Sequence, residues 1–171
     1  KFCDIGAVAI GQETGLREIK KIAENFKEEF KISDLPQKKD TIDLYLEHFK
    51  KIVNPSEISA TVKFCIDGGN GALGSIIDDL SKTYNLNYDG LYMDVDGNFP
   101  NHPADPSDEK NLSDLKDKVL SNNLDFGVAF DGDADRAVFI DNKGNLISGS
   151  LMTCLISDWL LEKDSEIKVV H

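Results

Sequence analysis

The chain has 171 residues, 40% of them hydrophobic and 29% charged, with a formal net charge of −12. That length suits about one domain of usual size, or one domain with partial neighbours. The acidity argues against nucleic acid and anionic membrane as partners, since both need clustered cations, but it leaves room for a small anionic substrate held by a metal ion and a few arginines.

Lys1 to Ile10 reads as a short, partly apolar strand and loop. Thr14 caps a predicted helix with Leu16, Ile19, Ile22, Ala23, Phe26 and Phe30 at helical spacing, and the polar Lys31–Asp40 stretch, with Leu35-Pro36, reads as a linker. A second helix carries Ile42, Tyr45, Leu46, Phe49, Ile52 and Val53 on one face and ends at Asn54-Pro55-Ser56. Val62–Ile66 is a predicted strand that runs into Asp67-Gly68-Gly69-Asn70-Gly71 and then a helix with Leu73, Ile76, Ile77, Leu80 and Tyr84 inward, the opening of a βαβ unit. A glycine loop before a helix can bind phosphate. The P-loop lysine and GxGxxG are absent, so a tight structural turn is the better reading. Leu86–Met93 is a second strand, and Asp94–Pro106 a long loop stiffened by three prolines. In it, His102 reads as a hydrogen-bonded structural histidine before it reads as an acid or base, and Asp94, Asp96 and Asn98 imitate a calcium loop whose required glycine is replaced by Phe99.

Leu112, Leu115 and Val119 mark a short helix stopped by Asn122-Asn123. The central stretch follows: the apolar run Phe126–Phe130, then Asp131-Gly132-Asp133-Ala134-Asp135-Arg136, then a second apolar run, Ala137–Ile140. This predicts strand, loop, strand. Aspartates at alternate positions repel one another when ionised, and a hard divalent cation removes that penalty; oxygen-only ligands favour Mg²⁺ or Ca²⁺ over zinc. Asp141–Asn145 is a turn into Leu146-Ile147, and Ser148 or Ser150 caps a helix with Leu151, Met152, Leu155, Ile156, Trp159 and Leu160 inward. Ile167–Val170 begins another strand. No apolar run reaches membrane-spanning length and the N-terminus is not a signal peptide, so a cytoplasmic protein is the default. Cys3, Cys65 and Cys154, odd in number and without CxxC spacing, read as small core residues of a reducing compartment. The starting lysine and the apolar end lead us to expect an internal piece of a longer protein.

Three readings compete for Asp131–Arg136. An EF-hand loop matches Asp131, Asp133 and Asp135, but has Arg136 where its glycine belongs, Asn142 where its glutamate belongs, and strands in place of helices. A haloacid-dehalogenase-type phosphatase matches the strand followed by Asp131-Gly132-Asp133, with Asp131 as nucleophile, but not the third aspartate and the arginine. Outside these three, a non-catalytic calcium- or magnesium-binding module is the alternative of a different class.

The third reading is a family. The Asp-Gly-Asp-x-Asp-Arg loop resembles the Mg²⁺ loop of the α-D-phosphohexomutases (phosphoglucomutase/phosphomannomutase). Ile66–Gly71 is similar to the strand and turn that open the family's second domain, and Val95–His102 to the loop before its acidic metal strand. The resemblance covers roughly residues 42–145, with Ala134 where many members have glycine. It implies an α/β fold, a mixed sheet packed by helices, divided as the end of a first domain plus linker (1–38), a second domain with the metal loop (39–145) and the start of a third (146–171). It also implies a Mg²⁺-dependent enzyme that moves phosphate between the 1- and 6-positions of a hexose phosphate through a phosphoserine and a bisphosphate intermediate. Asp131, Asp133 and Asp135 are then the metal ligands and Arg136 contacts the phosphoryl group, a salt bridge that only shapes the loop being its alternative. Lys1-Phe2-Cys3 resembles the residues just after the serine loop, which makes Lys1 the general acid/base candidate. The family's Ser-His-Asn-Pro segment, its sugar-reading Gly-Glu-x-Ser-Gly-His loop and its fourth domain's phosphate loop are absent from these 171 residues, so the fragment alone is expected to be inactive and to rely on the remaining domains of the same enzyme.

Overall fold

The computed structural model describes residues 2–27 and 39–170. They fall into two compact units, Lys1–Lys39 and Asp40–His171. In the first, strands β1 (Cys3–Asp4) and β2 (Val8–Ala9) form an antiparallel hairpin ahead of helix α1 (Leu16–Asn25). The expected Thr14 cap takes another form: Gly15 is the capping residue, and the Thr14 hydroxyl accepts instead from the Gly11 N–H at 2.7 Å. No residue of α1 is buried, so its apolar stripe is present without being covered within this unit; Phe30 and most of the expected linker lie outside the described residues.

The second unit is a mixed five-stranded sheet. Helix α2 (Ile42–Ile52) leads to β3 (Lys63–Asp67), α3 (Ile77–Tyr84), β4 (Asn87–Leu91), α4 (Ser113–Asn122), β5 (Phe126–Phe130), β6 (Ala137–Asp141), β7 (Leu146–Ile147) and α5 (Gly149–Lys163). The sheet order is β4-β3-β5-β6-β7. β3 pairs parallel with both β4 and β5, whereas β6 and β7 add antiparallel. The fold class is the α/β arrangement expected from the sequence.

Alternation along the strands divides the core between the two faces. Cys65, Ala129 and Ile140 pack with Leu112, Leu115, Val119 and Leu124 on the α4 side. Ile66 and Val128 pack with Leu73 and Ile77 on the α3 side, joined by Phe64, Phe126, Phe130 and Phe139. Phe64 and Phe126 stack across the parallel pair, ring centroids 4.8 Å apart. α4 ends at Asn123 in the left-handed conformation (φ 51°), which asparagine tolerates better than most residues. Burial pushes the Cys65 thiol up to about 12, which makes it an inert core group. Cys3 and Cys154 depart from the core assignment: both are exposed. α5 departs too. Ser148 caps it through the Leu151 N–H (3.2 Å), but none of its residues is buried, and Leu151, Leu155 and Ile156 are exposed. Periodicity identifies an apolar face without saying what covers it.

β3, β4 and β5 run parallel, so their C-terminal ends share one edge of the sheet. In open α/β sheets that edge is where ligands bind. Gly127 lets α4 approach the sheet: a Cβ there would lie 2.9 Å from Ile140, Leu115 and Val119 side-chain carbons. Gly127→Ala is expected to lower stability by about 1–3 kcal/mol through overpacking, seen as a lower urea midpoint at unchanged m value.

Candidate metal centre

The loop from β5 to β6 is built around one carboxylate. Asp131 follows the last residue of β5 and is 2% exposed. Its Oδ1 accepts the backbone N–H groups of Asp135 and Arg136, each at 3.0 Å, and its Oδ2 accepts Arg136 Nε–H at 2.8 Å. Two backbone bonds close the turn: Asp131 N–H donates to the Arg136 carbonyl (3.2 Å) and Ala134 N–H to the Asp131 carbonyl (3.0 Å). The tight path puts Ala134 at φ 57°, a left-handed conformation that explains why a small residue is needed there.

Burial alone disfavours the Asp131 charge. The Arg136 backbone N–H, its guanidinium and the Asp135 N–H outweigh that, and hold the Asp131 carboxyl below its ordinary range. The same contact raises the Arg136 guanidinium above its own. The loop therefore carries a fixed negative charge at its base. Asp133 and Asp135 are exposed, and one carboxylate oxygen from each of the three aspartates lies within 4.8 Å of the others. Oxygen ligands about 2.1 Å from a Mg²⁺ ion stand roughly 3–4 Å apart, so a small side-chain adjustment would let this donor set close on such a cation. Hard, anionic, oxygen-only donors fit it chemically.

Arg136 forms a salt bridge with Asp131 inside the loop (Nε to Oδ2, 2.8 Å). That contact uses the Nε edge, and the side chain is 62% exposed. Its Nη1 lies 3.9 Å from Asp105 Oδ1, and its Nε 4.0 Å from Asp135 Oδ1. Lys1 lies outside the described residues.

The flanking strands β5 and β6 are antiparallel neighbours, so the paired helices of an EF-hand are not formed around this loop. The phosphatase reading has no role for the third aspartate and the arginine, and here both are bonded to Asp131, through their backbone N–H groups and the Arg136 guanidinium. The imitation calcium loop folds otherwise: Asp96 Oδ1 accepts the N–H and side-chain amide of Asn98, each at 2.9 Å, as in an Asx turn.

The glycine turn after β3 is structural. Gly68 N–H donates to the Leu91 carbonyl, Gly69 N–H to Asp67 Oδ1, Asn70 N–H to the Tyr92 carbonyl, Gly71 N–H to the Gly68 carbonyl and Ala72 N–H to the Gly132 carbonyl. These N–H groups are already engaged, so the turn has none aimed at a phosphate. Its last bond, 2.9 Å long, ties it to the Asp131–Arg136 loop, and a Cβ at Gly71 would lie 2.8 Å from the Gly132 oxygen.

Residues 43–144 match the family model described as phosphoglucomutase/phosphomannomutase, alpha/beta/alpha domain II. The chain belongs to the phosphoglucomutase/phosphomannomutase family. A phosphomannomutase of Vibrio cholerae is 33% identical over 181 residues, covering 97% of this chain and 37% of that protein. A phosphomannomutase/phosphoglucomutase of Pseudomonas aeruginosa is 40% identical over 108 residues, 63% of this chain and 23% of the relative. The crystal structure of a family protein from Burkholderia thailandensis superposes with a TM-score of 0.66 at 32% identity, over 75% of this chain and 27% of that one. The chain thus spans between 23% and 37% of the length of these relatives.

Two groups at this edge escaped the sequence reading as site components. Asp67 is fully buried and meets His102 (Oδ2 to Nε2, 3.1 Å). Asp105 reaches Arg136. The only local signal for Asp105 is the Asp-Pro-Ser turn, in which Ser107 N–H and Oγ–H donate to its Oδ1.

Asp131→Asn is expected to cost about 1.5–3 kcal/mol, because an amide hydrogen would face Arg136 Nε–H. Its pH dependence follows from the lowered carboxyl: the stabilisation is present above the ordinary value of 3.8 and is lost as pH falls below that through the folded-state value. Urea titrations of wild type should weaken in that acid window, and the variant should lack this component.

Proposed function

We propose that this chain is the metal-binding portion of a longer Mg²⁺-dependent phosphohexomutase, and that the whole enzyme moves phosphate between the 1- and 6-positions of a hexose phosphate through a phosphoserine and a bisphosphate intermediate. The observation that carries the reading is the convergence of three carboxylates and one arginine at the C-terminal edge of the parallel strands. In this reading residues 1–38 close the first domain, 39–145 form the second, and 146–171 open the third. The enzyme works in the cytoplasm; among the described residues no helix is long and apolar enough to cross a membrane.

Asp131, Asp133 and Asp135 would hold the Mg²⁺ ion. When bound, the ion supplies Lewis-acid stabilisation of the transferring phosphoryl group. Asp131 also fixes the loop backbone, so that the two exposed aspartates are presented together without reorganisation. Arg136, anchored through Nε, would direct its remaining N–H groups at phosphoryl oxygens, to which the guanidinium fork is matched. Lys1 is assigned as the proton-transfer group at the sugar hydroxyl, and the phosphoserine would come from the first domain.

In the full-length protein, Asp133→Asn is expected to lower turnover of a hexose 1-phosphate by about two orders of magnitude or more, roughly 3 kcal/mol, while phosphoserine still forms. Unchanged turnover across Mg²⁺ concentrations would show that the loop is structural. The isolated 171-residue chain is expected to convert no glucose 1-phosphate to glucose 6-phosphate, and measurable conversion by purified chain would contradict the division of labour proposed here.

A further inference from the structure

The loop between β4 and α4 is held at both ends of a short arm, residues 99–105. At one end is the His102–Asp67 pair. His102 Nδ1 lies 2.8 Å from the Pro103 carbonyl. A carbonyl only accepts, so Nδ1 carries a hydrogen, and a single proton lies between Nε2 and Asp67 Oδ2. Asp67 has 0% exposure and takes its other bond from Gly69 N–H at 2.9 Å. A carboxyl this deep needs that partner, and the partner fixes where the arm lies. Tyr92 stands edge-on to the imidazole, centroids 5.3 Å apart, with its hydroxyl donating to Asp114.

The arm then packs on both loops of the site. A Cβ on Gly69 would lie 3.3 Å from Ala104 Cβ, and one on Gly132 would lie 3.6 Å from the Phe99 ring and 3.7 Å from Ala104. Asn101 donates its amide to Asn70 Oδ1 at 2.8 Å. At the far end is Asp105. Its carbonyl accepts from Asn111 (2.8 Å), and its Oδ1 takes Ser107 Oγ–H at 2.7 Å. That oxygen is thereby fixed 3.9 Å from Arg136 Nη1.

We propose that Asp105 is a positioning residue for Arg136, delivered by an arm that the His102–Asp67 pair clamps to the end of β3. Two carboxylates from different loops then act on the guanidinium: Asp131 holds Nε by a hydrogen bond, and Asp105, 3.9 Å from Nη1, biases its rotation about the Nε–Cζ bond through charge. The N–H groups of Arg136 not engaged by Asp131 are the ones a phosphoryl group would meet. The inference rests on the phosphohexomutase reading for its catalytic consequence, but not for its geometry.

The test uses the full-length protein in steady-state assays with a hexose 1-phosphate, and 15N exchange spectra of the Arg136 guanidinium in this chain. Asp105→Asn lies on the surface and is expected to lower kcat about two- to fivefold, the range of a partly exposed ion pair, with KM and thermal midpoint unchanged. Asp105→Glu should restore at least half of the loss. His102→Gln should lower kcat in the same direction, and the double variant should fall no further than the worse single one. Faster rotation about the Arg136 Nε–Cζ bond in Asp105→Asn supports the arm whatever the enzyme's substrate. Wild-type kcat in Asp105→Asn, or unchanged guanidinium rotation, overturns the proposal. An inactive wild-type enzyme would overturn the phosphohexomutase reading instead, and the rotation measurement would then decide the arm by itself.

Discussion

Everything at the functional edge depends on how the buried charge of Asp131 is satisfied. A carboxylate at the end of a central strand is costly unless donors surround it. Here the donors come from the next five residues: two backbone N–H groups and the Nε of Arg136. Meeting the electrostatic demand and folding the loop are therefore the same event. The turn that results leaves Asp133 and Asp135 exposed beside Asp131, with one oxygen of each of the three within 4.8 Å of the others.

The sheet supplies the rest. Because β3 lies between β4 and β5 and pairs parallel with both, three strand ends meet at one edge. The glycine turn after β3 saturates its own N–H groups and hands one bond to Gly132. The loop after β4 crosses the same edge and anchors on Asp67. Each loop is braced by another, so the Asp131–Arg136 loop is tied to its neighbours rather than standing as a free hairpin. Positioning and electrostatics make up most of the catalysis of phosphoryl transfer in general, which is why a braced, charged loop suits the function proposed above.

Much of this was legible in the sequence because it is local. An apolar run ending in aspartates at alternate positions marks the strand and its loop, Asn122-Asn123 marks the end of α4, and Ser148 marks the start of α5. The Asp-Gly-Asp-x-Asp-Arg resemblance located the candidate ligands, and the family match covers the same region. What was not legible is long-range. Asp67 and His102 are 35 positions apart and meet only because parallel pairing aligns two strand ends. Asp105 gains its meaning from Arg136, which no spacing rule connects to it. Cys154 and the apolar face of α5 were misjudged for a related reason: hydrophobic periodicity reports which side is apolar, and burial depends on what packs there.

The most direct test of the account is paramagnetic. Mn²⁺, a close stand-in for Mg²⁺ at oxygen sites, would be titrated into 15N-labelled protein while amide line widths are followed. Early, steep broadening of the 131–136 amides is expected, reversed by excess Mg²⁺ and absent in Asp133→Asn. Broadening centred instead on the Asp94–Asn98 loop, or spread evenly over the acidic surface, would contradict the claim that the Asp131 loop is the metal centre.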